Sequence, residues 1–422
     1  MVTLGCRLNL AESETIRELL GDRPMTVINS CAVTAEAVKQ TRAAIRSAVR
    51  DRPGVPVVVT GCAAEIDTAG FAAMPEVARV VRQADKLAPA SWGGALPRVA
   101  TFAGHSRAFV EVQNGCDHAC TFCIIPAGRG VSRSVPVAAV VDRVSALVAA
   151  GHNEVVLTGV DVTSWGHDLP GTPVLGALVE AILTGVPALP RLRLSSLDAV
   201  EIDDRLFDLV TGEARVMPHL HLSLQAGSDM ILKRMKRRHL RRDAVRLVEA
   251  IKARRDVAIG ADLIAGFPTE DASMFADTLA LLDDCDVVHA HIFPYSPRAG
   301  TPAARMPQVA IEARRDRAAA LREVAAARKA AWLRGKVGTA TRVLVERPGD
   351  RGHDEQFAEV RLGHRYEPGT IVAIGLTPHN LSLVTPAQGA HQDSISMGPK
   401  AGVPLLSTPA NSGTPAFARV TG

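Results

Sequence analysis

The chain has 422 residues, of which 47% are hydrophobic and 22% are charged, and its formal net charge at pH 7 is +4. This length predicts about three globular domains, and the mildly basic charge permits a nucleic-acid partner without requiring one. Seven cysteines are too few for a disulfide framework in a chain this long. No apolar run reaches the roughly 18–20 residues that span a membrane, so we expect a cytoplasmic protein without a membrane segment.

Residues 1–86 alternate short β-rich runs with helical stretches, a pattern typical of a doubly wound parallel sheet. The predicted strands are Val2–Leu4, Met25–Asn29 and Val55–Thr60, and the predicted helices are Ala11–Leu20 and Thr34–Val49. We therefore predict an N-terminal α/β domain over 1–86, followed by a linker rich in Pro and Gly over 87–106.

A cysteine follows each of these three strands. These residues, called here the N-terminal cysteine set, are Cys6, Cys31 and Cys62. Because the carboxyl ends of parallel strands meet at one edge of a sheet, their thiols could converge on one ion or cluster. Three independent core cysteines are the alternative, since cysteine is among the most buried residue types. The small residues Gly5, Ser30 and Gly61 favour convergence, because they let the backbone approach a bulky group.

The segment 107–333 repeats strands and helices in a pattern that predicts a partial (β/α)6 barrel. The predicted strands are Ala108–Val112, Glu154–Thr158, Arg191–Ser195, His219–Leu224, Ala258–Ile264 and Val287–Phe293. The helices predicted between them include Val137–Ala150, Arg241–Ala253 and Ser273–Asp283. A long charged helix is predicted at Ile311–Leu333.

A second group of cysteines follows the first barrel strand, in the motif Cys116-x3-Cys120-x2-Cys123. This cysteine triplet can hold one metal centre from a single loop. Because a [4Fe–4S] cube needs four ligands, one iron would stay open for a group that is not protein. A structural zinc site with His118 or a distant residue as fourth ligand is the alternative, but zinc sites usually pair two CxxC knuckles. Cys285 stands apart and is predicted to be a buried packing residue.

The C-terminal part changes character. Residues 335–386 contain short strands separated by turn signals and predict a small all-β domain, a β-barrel. Residues 388–422 are rich in Ser, Thr, Pro, Gly, Ala and Gln and predict a disordered tail.

These features together resemble the methylthiotransferase branch of the radical S-adenosylmethionine (SAM) enzymes, over nearly the whole chain up to residue 386. The triplet marks the superfamily. The preceding three-cysteine domain and the following β unit, which looks like a TRAM domain, narrow the resemblance to the methylthiotransferases. Several segments are similar to the threonylcarbamoyladenosine tRNA methylthiotransferase (MtaB) type. They are Thr3–Asn9, Leu157–Asp161, Arg193–Ser196, His221–Asp229 and Phe293–Arg298.

The resemblance implies two [4Fe–4S] clusters and SAM as cofactors, with all six cysteines catalytic. It places cluster 1 on Cys6, Cys31 and Cys62, and cluster 2 on Cys116, Cys120 and Cys123. The open iron of cluster 2 would chelate SAM, whose one-electron cleavage would give a 5′-deoxyadenosyl radical. That radical would remove hydrogen from C2 of the modified adenosine at tRNA position 37. Cluster 1 would hold or supply the sulfur, and a second SAM would supply the methyl group.

Further residues at strand ends are candidates for binding the cofactor. The full set is Gly159, Asp161, Ser195, Ser223, Gln225, Asp262 and Gly266. The backbone at Gly159 could hydrogen-bond the SAM ammonium, although a glycine at a strand end is as often an ordinary turn. Ser195, Ser196 and Ser223 could face the barrel mouth, and the alternative is that they cap helices or bond the backbone. Asp262 and Gly266 match the strand that lies near the adenine in relatives.

The resemblance also implies partners: the anticodon stem-loop of tRNA, and an electron donor such as flavodoxin or ferredoxin. We expect a monomer. Two groups of cations suit contact with RNA phosphates, although solvated surfaces explain them equally well. The first is Lys233, Arg234, Lys236, Arg237, Arg238, Arg241 and Arg242. The second, in the β unit, is Arg342, Arg347, Arg351, Arg361 and Arg365.

Two departures from the family pattern stand out. Ala127 occupies a position where relatives commonly have Tyr, and Cys6 lies only five residues from the first residue, so the true start could lie upstream. The competing functions are methylthiolation of isopentenyladenosine tRNA or of a ribosomal protein, and a non-catalytic Fe–S or RNA-binding protein. The missing fourth ligand of the triplet argues against the last, since a structural site would close its coordination sphere.

Overall fold

The computed structural model describes residues 1–93, 102 and 104–381. The predicted tail at 388–422 lies outside these residues, as do positions 94–101 and 103 of the predicted linker. Within the described ranges, no helix is both long and apolar enough to cross a membrane.

The N-terminal unit is a four-stranded parallel sheet with the order β1-β2-β3-β4. Its strands are β1 (Val2–Thr3), β2 (Thr26–Ser30), β3 (Val57–Gly61) and β4 (Arg79–Val80). Its helices are α1 (Arg7–Leu20), α2 (Ala35–Asp51), α3 (Cys62–Ile66) and α4 (Thr68–Ala72). The parallel α/β arrangement predicted from the sequence is confirmed. The fourth strand was not predicted, because two residues are too short to show a periodic pattern.

Helices pack on both faces of this sheet. Ile16 of α1 packs with Val27 and Val58, whereas Ile45 of α2 packs with Ile28 on the opposite face. Alternate residues of a strand point to opposite faces, which explains why successive residues of β2 belong to different clusters. The first helix also contributes to the barrel core, so it lies between the two units.

The second unit is an incomplete parallel barrel. Its six strands are β5 (Ala108–Glu111), β8 (Glu154–Thr158), β9 (Arg191–Leu194), β10 (His219–Gln225), β11 (Ala258–Ala265) and β12 (Val287–Pro294). A short antiparallel hairpin follows the first of them and consists of β6 (Gln113–Asn114) and β7 (Arg133–Ser134). The six strands form two three-stranded sheets, β5-β8-β9 and β10-β11-β12, joined by isolated bridges such as Leu197 to Leu222.

Helices surround the barrel strands. They are α5 (Ile125–Arg129), α6 (Val137–Ala149), α7 (Leu175–Gly185), α8 (Asp204–Gly212), α9 (Asp229–Arg234), α10 (Arg241–Arg254) and α11 (Ala272–Asp284). Strand β8 is a nearly continuous apolar run, as expected of a strand with both faces covered. Val155, Val156 and Leu157 of β8, for example, are all almost completely buried. Cys285 is fully buried in the same core, as predicted.

The C-terminal unit is a four-stranded antiparallel sheet with the order β15-β14-β13-β16. Helix α12 (Ile311–Gly335) leads into β13 (Ala340–Glu346), β14 (Arg351–His353), β15 (Glu359–Arg361) and β16 (Ile371–Gly375). This unit covers the end of the barrel at which the strands begin. Arg193 of β9 donates to the backbone oxygens of Asp354 and Glu355 at 2.8 and 3.0 Å.

Two histidines of the barrel meet the C-terminal unit. His219 of β10 stacks on Phe357, and His289 of β12 lies edge-on to Trp332 and 3.1 Å from the backbone oxygen of Gln356. Burial, reinforced by the charge of Lys329, lowers the pKa of His289 to about 3. The pKa of His219 is also lowered, chiefly by burial. Both rings are therefore neutral in the folded protein at neutral pH.

We expect acid to destabilise the protein through these rings. In the unfolded chain the histidine rings take up protons below about pH 6.5, whereas folded His289 stays neutral until about pH 3. The free energy of unfolding therefore falls as the pH drops through this window. His289→Gln removes the titrating imidazole and keeps a hydrogen-bond donor for the backbone oxygen of Gln356. Its urea midpoint should fall less between pH 7.5 and 5.5 than that of the wild type. The exposed His364→Gln serves as control, and parallel profiles for H289Q and the wild type would contradict the prediction.

Candidate functional site

The cysteine triplet occupies the loop between β6 and α5, and all three thiols are partly buried. Polar hydrogens point at each sulfur. The amide of His118 lies 3.4 Å from Cys116 Sγ and that of Ile125 lies 3.4 Å from Cys123 Sγ. Arg237 Nη1 lies 3.7 Å from Cys120 Sγ. Such donors stabilise negative charge on sulfur, which is what metal-bound thiolates need.

Burial raises the pKa of two of these thiols, to about 12 for Cys116 and about 11 for Cys123. The amide of His118 opposes the shift at Cys116, and that of Ile125 opposes it at Cys123. Metal ligands must be deprotonated, so binding iron here would release protons.

The N-terminal cysteine set lies at one edge of the N-terminal sheet. Cys6 precedes α1 and is exposed, whereas Cys31 follows β2 and Cys62 begins α3, and both are buried. Gly5 and Gly61 have positive φ angles of 93° and 94°, and a Cβ at Gly5 would lie 2.7 Å from Cys31 Sγ. A side chain at Gly5 would therefore displace Cys31. Burial raises the pKa of Cys31 to about 11, and the neighbouring Cys6 and Cys62 add to the shift.

The spacing of the sulfurs distinguishes a single ion from a cluster. A tetrahedral zinc ion with Zn–S bonds of about 2.3 Å would hold its sulfurs roughly 3.8 Å apart. Among the described residues, the only groups of three ligand atoms that all lie within 4.8 Å of one another are Cys116-His118-Asp161 and His221-Asp262-His291. Neither cysteine set is among them. In each set at least two sulfurs therefore lie more than 4.8 Å apart, which is wider than one zinc ion would hold them.

The two cysteine sets are neighbours. Gly128 lies in α5, directly after the triplet, and a Cβ added there would lie 3.2 Å from Cys62 Cβ. The charge of Cys62 also contributes to the pKa of Cys123. The segment that follows the triplet therefore lies against the N-terminal cysteine set.

A buried polar network joins the two units beside the cysteines. Arg129 Nη1 donates to Glu12 Oε1 at 2.9 Å and to Asn114 Oδ1 at 2.8 Å, and its Nη2 donates to Asn9 Oδ1 at 2.5 Å. Lys86 pairs with the other oxygen of Glu12, and the side chains of Glu12, Lys86 and Arg129 are each 1% exposed. Burial would raise the pKa of Glu12, but the two cations outweigh it and lower the pKa to about 2. Sequence reasoning did not identify this network.

The segment with the predicted cofactor contacts Gly159 and Asp161 is anchored to β6. Gln113 Oε1 accepts hydrogen bonds from the amides of Val160 and Asp161 at 3.0 and 2.8 Å. Asp161 Oδ2 lies 2.7 Å from His118 Nε2 and 3.8 Å from Cys116 Sγ. Burial would raise the pKa of Asp161, but its hydrogen bond with His118 lowers it, and the same bond raises the pKa of His118. The structure therefore brings Asp161 to the triplet.

Three further predicted contacts lie at the ends of β9 and β10. Ser195 is buried, and its hydroxyl has no hydrogen-bond partner in the described part of the chain. The backbone oxygen of Ser223 accepts from Arg237, the residue that also approaches Cys120. Gln225 has a positive φ of 67°, an uncommon conformation for a side chain of this kind. Ser195 thus offers an unused donor near the barrel mouth.

Asp262 and Gly266 are separated by the structure. Asp262 Oδ1 lies 3.0 Å from His221 Nε2 and 3.2 Å from His291 Nδ1, inside the barrel. Gly266 instead packs against Arg314, and its amide donates to Glu270. Neither histidine of the His221-Asp262-His291 cluster was singled out from the sequence, because the three residues lie on different strands.

The basic run on α9 and the residues after it does not behave as one surface. Arg237 is only 9% exposed and turns inward to Asp198. Arg241 pairs with Asp284. Four members stay exposed: Lys233, Lys236, Arg238 and Arg242, of which Arg238 pairs with Glu201. The position of Arg237 beside the triplet in space could not be foreseen from a run of like charges.

Two family models and several known proteins match the chain. Residues 110–282 match the Radical SAM superfamily, and residues 1–82 match the Uncharacterized protein family UPF0004. The chain is 45% identical over 382 residues to the threonylcarbamoyladenosine tRNA methylthiotransferase MtaB of Rickettsia prowazekii (strain Madrid E), covering 86% of this chain and 90% of that protein. It is 34% identical to the protein of the same name from Chlamydia pneumoniae, and the match covers 85% of this chain and 90% of that protein.

Two other similarities are more distant. The tRNA-2-methylthio-N(6)-dimethylallyladenosine synthase of Erythrobacter litoralis (strain HTCC2594) is 33% identical over 383 residues, with 82% of this chain and 86% of that protein covered. The radical SAM methyltransferase TsrM from Kitasatospora setae, solved with tryptophan and a SAM analogue, has a TM-score of 0.50 at 16% identity. The match covers 70% of this chain and 68% of the TsrM chain, and it shows a likeness of fold alone.

Proposed function

We propose that this chain inserts sulfur and a methyl group at C2 of N6-threonylcarbamoyladenosine, because it belongs to the radical SAM methylthiotransferases of the threonylcarbamoyladenosine tRNA (MtaB) type. The substrate would be position 37 of tRNA, and the product its 2-methylthio derivative. One observation carries the proposal: two sets of three cysteines lie next to each other, with Gly128 of the triplet side against Cys62 of the other.

The radical SAM superfamily uses a [4Fe–4S] cluster and SAM. We assign that cluster to Cys116, Cys120 and Cys123, and a second cluster to Cys6, Cys31 and Cys62. When bound, these groups supply reductive cleavage of SAM, abstraction of hydrogen from C2 and the sulfur to be inserted. The spacing of the thiols supports both assignments, because it exceeds what one zinc ion would impose.

The protein's own residues hold and orient these groups. Arg237 and the amides beside the triplet would stabilise charge on the sulfurs. The unpartnered hydroxyl of Ser195 and the backbone from Gly159 to Asp161 would bind SAM, with Ser223 and Gln225 at the neighbouring strand end. Asp262 would lie further inside the barrel. Gly266, packed on Arg314, would act on SAM only through its backbone.

We also assign the domains as 1–86 for cluster 1, 107–333 for the SAM barrel and 335–386 for a TRAM-like β-barrel that binds RNA. The exposed positions of Arg342, Arg347, Arg351, Arg361 and Arg365 support contact with phosphates. A cytoplasmic monomer that receives electrons from a flavodoxin or ferredoxin completes the proposal.

A reaction with defined RNA tests this function. Reconstituted protein, SAM and a reductant are mixed with an anticodon stem-loop that carries N6-threonylcarbamoyladenosine at position 37. Mass spectrometry of the nucleosides should show the 2-methylthio derivative, and a strain without the protein should accumulate the unmethylthiolated precursor. A stem-loop with isopentenyladenosine is the comparison. Methylthiolation of that RNA alone, or of neither RNA, would contradict the proposal.

A further inference from the structure

The first residue of α1, Arg7, follows Cys6 directly, and its side chain extends to Phe357 of the C-terminal unit. Its guanidinium carbon lies 5.7 Å from the centre of the Phe357 ring. The side chain is half-buried, and in the described part of the chain it forms no hydrogen bond or ion pair. Long cationic side chains in such positions usually have a carboxylate partner. The Arg7 guanidinium can therefore pair with an anion that comes from outside the protein.

The neighbouring arginines differ from Arg7 in this respect. Arg107 pairs with Glu154 and Glu346, and Arg193 donates to Glu154 at 2.9 Å. These pairs use both carboxylates. The electrostatic surroundings of Arg7 therefore favour an additional negative charge.

The carboxylate of Asp262 has charged partners of its own. Asp262 is within electrostatic range of Arg7, but His221 and His291 hold its Oδ1 at 3.0 and 3.2 Å. The inner faces of β10, β11 and β12 are thus polar at this depth, where a barrel core is usually apolar. A polar interior beside an unpaired guanidinium suits a ligand with a carboxylate and further hydrogen-bonding groups.

The substrate of the proposed function has such a group. The threonylcarbamoyl substituent on N6 carries a carboxylate and a hydroxyl, whereas a dimethylallyl substituent has neither. C2 and N6 lie on the same edge of adenine. A base that presents C2 to the group held by Cys6 would therefore present its N6 substituent to the adjacent residue, Arg7.

We propose that Arg7 binds the carboxylate of the threonylcarbamoyl group and thereby selects this nucleoside over those with apolar N6 substituents. This inference rests on the proposed function and names the residue that recognises its substrate. A guanidinium and a carboxylate form two parallel hydrogen bonds, and a site built for such a pair rejects a ligand that cannot form it.

The test compares Arg7→Gln with the wild type on two stem-loops, one with the free acid of N6-threonylcarbamoyladenosine and one with its neutral methyl ester. Since hydrogen bonds to charged groups contribute about 1.5–3 kcal/mol and 1.4 kcal/mol is tenfold, R7Q should bind the acid about 10- to 100-fold more weakly. Its affinity for the ester should equal that of the wild type. Arg7→Lys, which keeps the charge without the fork, should lie between them.

Arg17→Gln is the matched control, because Arg17 lies on the same helix and its side chain is 51% exposed. Iron content and SAM cleavage without RNA show whether R7Q keeps its cofactors. Equal loss of affinity for acid and ester would overturn the inference and point to an RNA phosphate or a structural role. Wild-type protein that binds the acid without modifying it would refute the proposed function alone, since the affinities for acid and ester still test Arg7.

Discussion

The Cys116→Ala protein should release no 5′-deoxyadenosine from SAM, whereas Cys6→Ala should keep part of this cleavage and lose methylthiolation. The difference follows from the two assigned clusters, since only the triplet would hold the iron that binds SAM. Removing a residue that merely orients a metal ligand costs about 10- to 100-fold, so loss of a ligand should exceed about 100-fold. Both products can be quantified by mass spectrometry in one anaerobic reaction.

Cys285→Ala is the control for these two variants. Its thiol is buried in the barrel core and belongs to neither set, so the variant should lose about 1 kcal/mol of stability and keep both activities. Iron content should be reduced in C116A and C6A and unchanged in C285A. Equal loss of SAM cleavage in C116A and C6A would rule out the division of labour between the sets.

Arg129→Met should destabilise the protein by about 3–5 kcal/mol, the usual cost of breaking a buried ion pair by removing one partner. Glu12 would retain Lys86, but Asn9 Oδ1 would lose the donor that Arg129 supplies, and Asn114 Oδ1 would keep only the amide of Gly115. Because this network joins α1 to the barrel, the N-terminal sheet should dock less firmly beside the triplet. Urea unfolding measures the first effect and the iron content of the reconstituted protein the second.

Arg133→Met is the matched control for this change. Arg133 is four positions away and exposed, and among the described residues its guanidinium donates only to the backbone oxygens of Val131 and Arg129. Its removal should change stability by less than about 0.5 kcal/mol. If R129M unfolds at the same urea concentration as R133M, the network contributes nothing to the junction of the two units.

The local structure was largely predictable because its causes are local. Strand β8 was predicted with the bounds that the structure has, since a short apolar run between turn signals defines it. Helix α2 begins one residue later than predicted, because the Thr34 hydroxyl accepts from the amide of Ala37 and caps the helix. Helix α1 begins earlier than predicted, at Arg7, because polar and apolar residues alternate over 7–10, which is the period of a strand and not of a helix.

The two cysteine sets were also visible, because each cysteine stands in a recognisable context of strand end and small residue. The residues that surround these cysteines could not be predicted from the sequence. Arg129 reaches Asn9 across 120 positions, and Arg237 reaches Cys120 across 117. Such contacts depend on how the two units dock and on where a loop turns inward, which no window of sequence records.

The sequence by itself determined the order of strands and helices, the two groups of ligands and the family, since these depend on neighbouring residues and their spacing. Only the tertiary structure placed Arg7 beside Phe357, with no hydrogen bond or ion pair among the described residues, and set His221 and His291 around Asp262. The physical reason is register: residues on β10, β11 and β12 face one another only after parallel pairing aligns the strands.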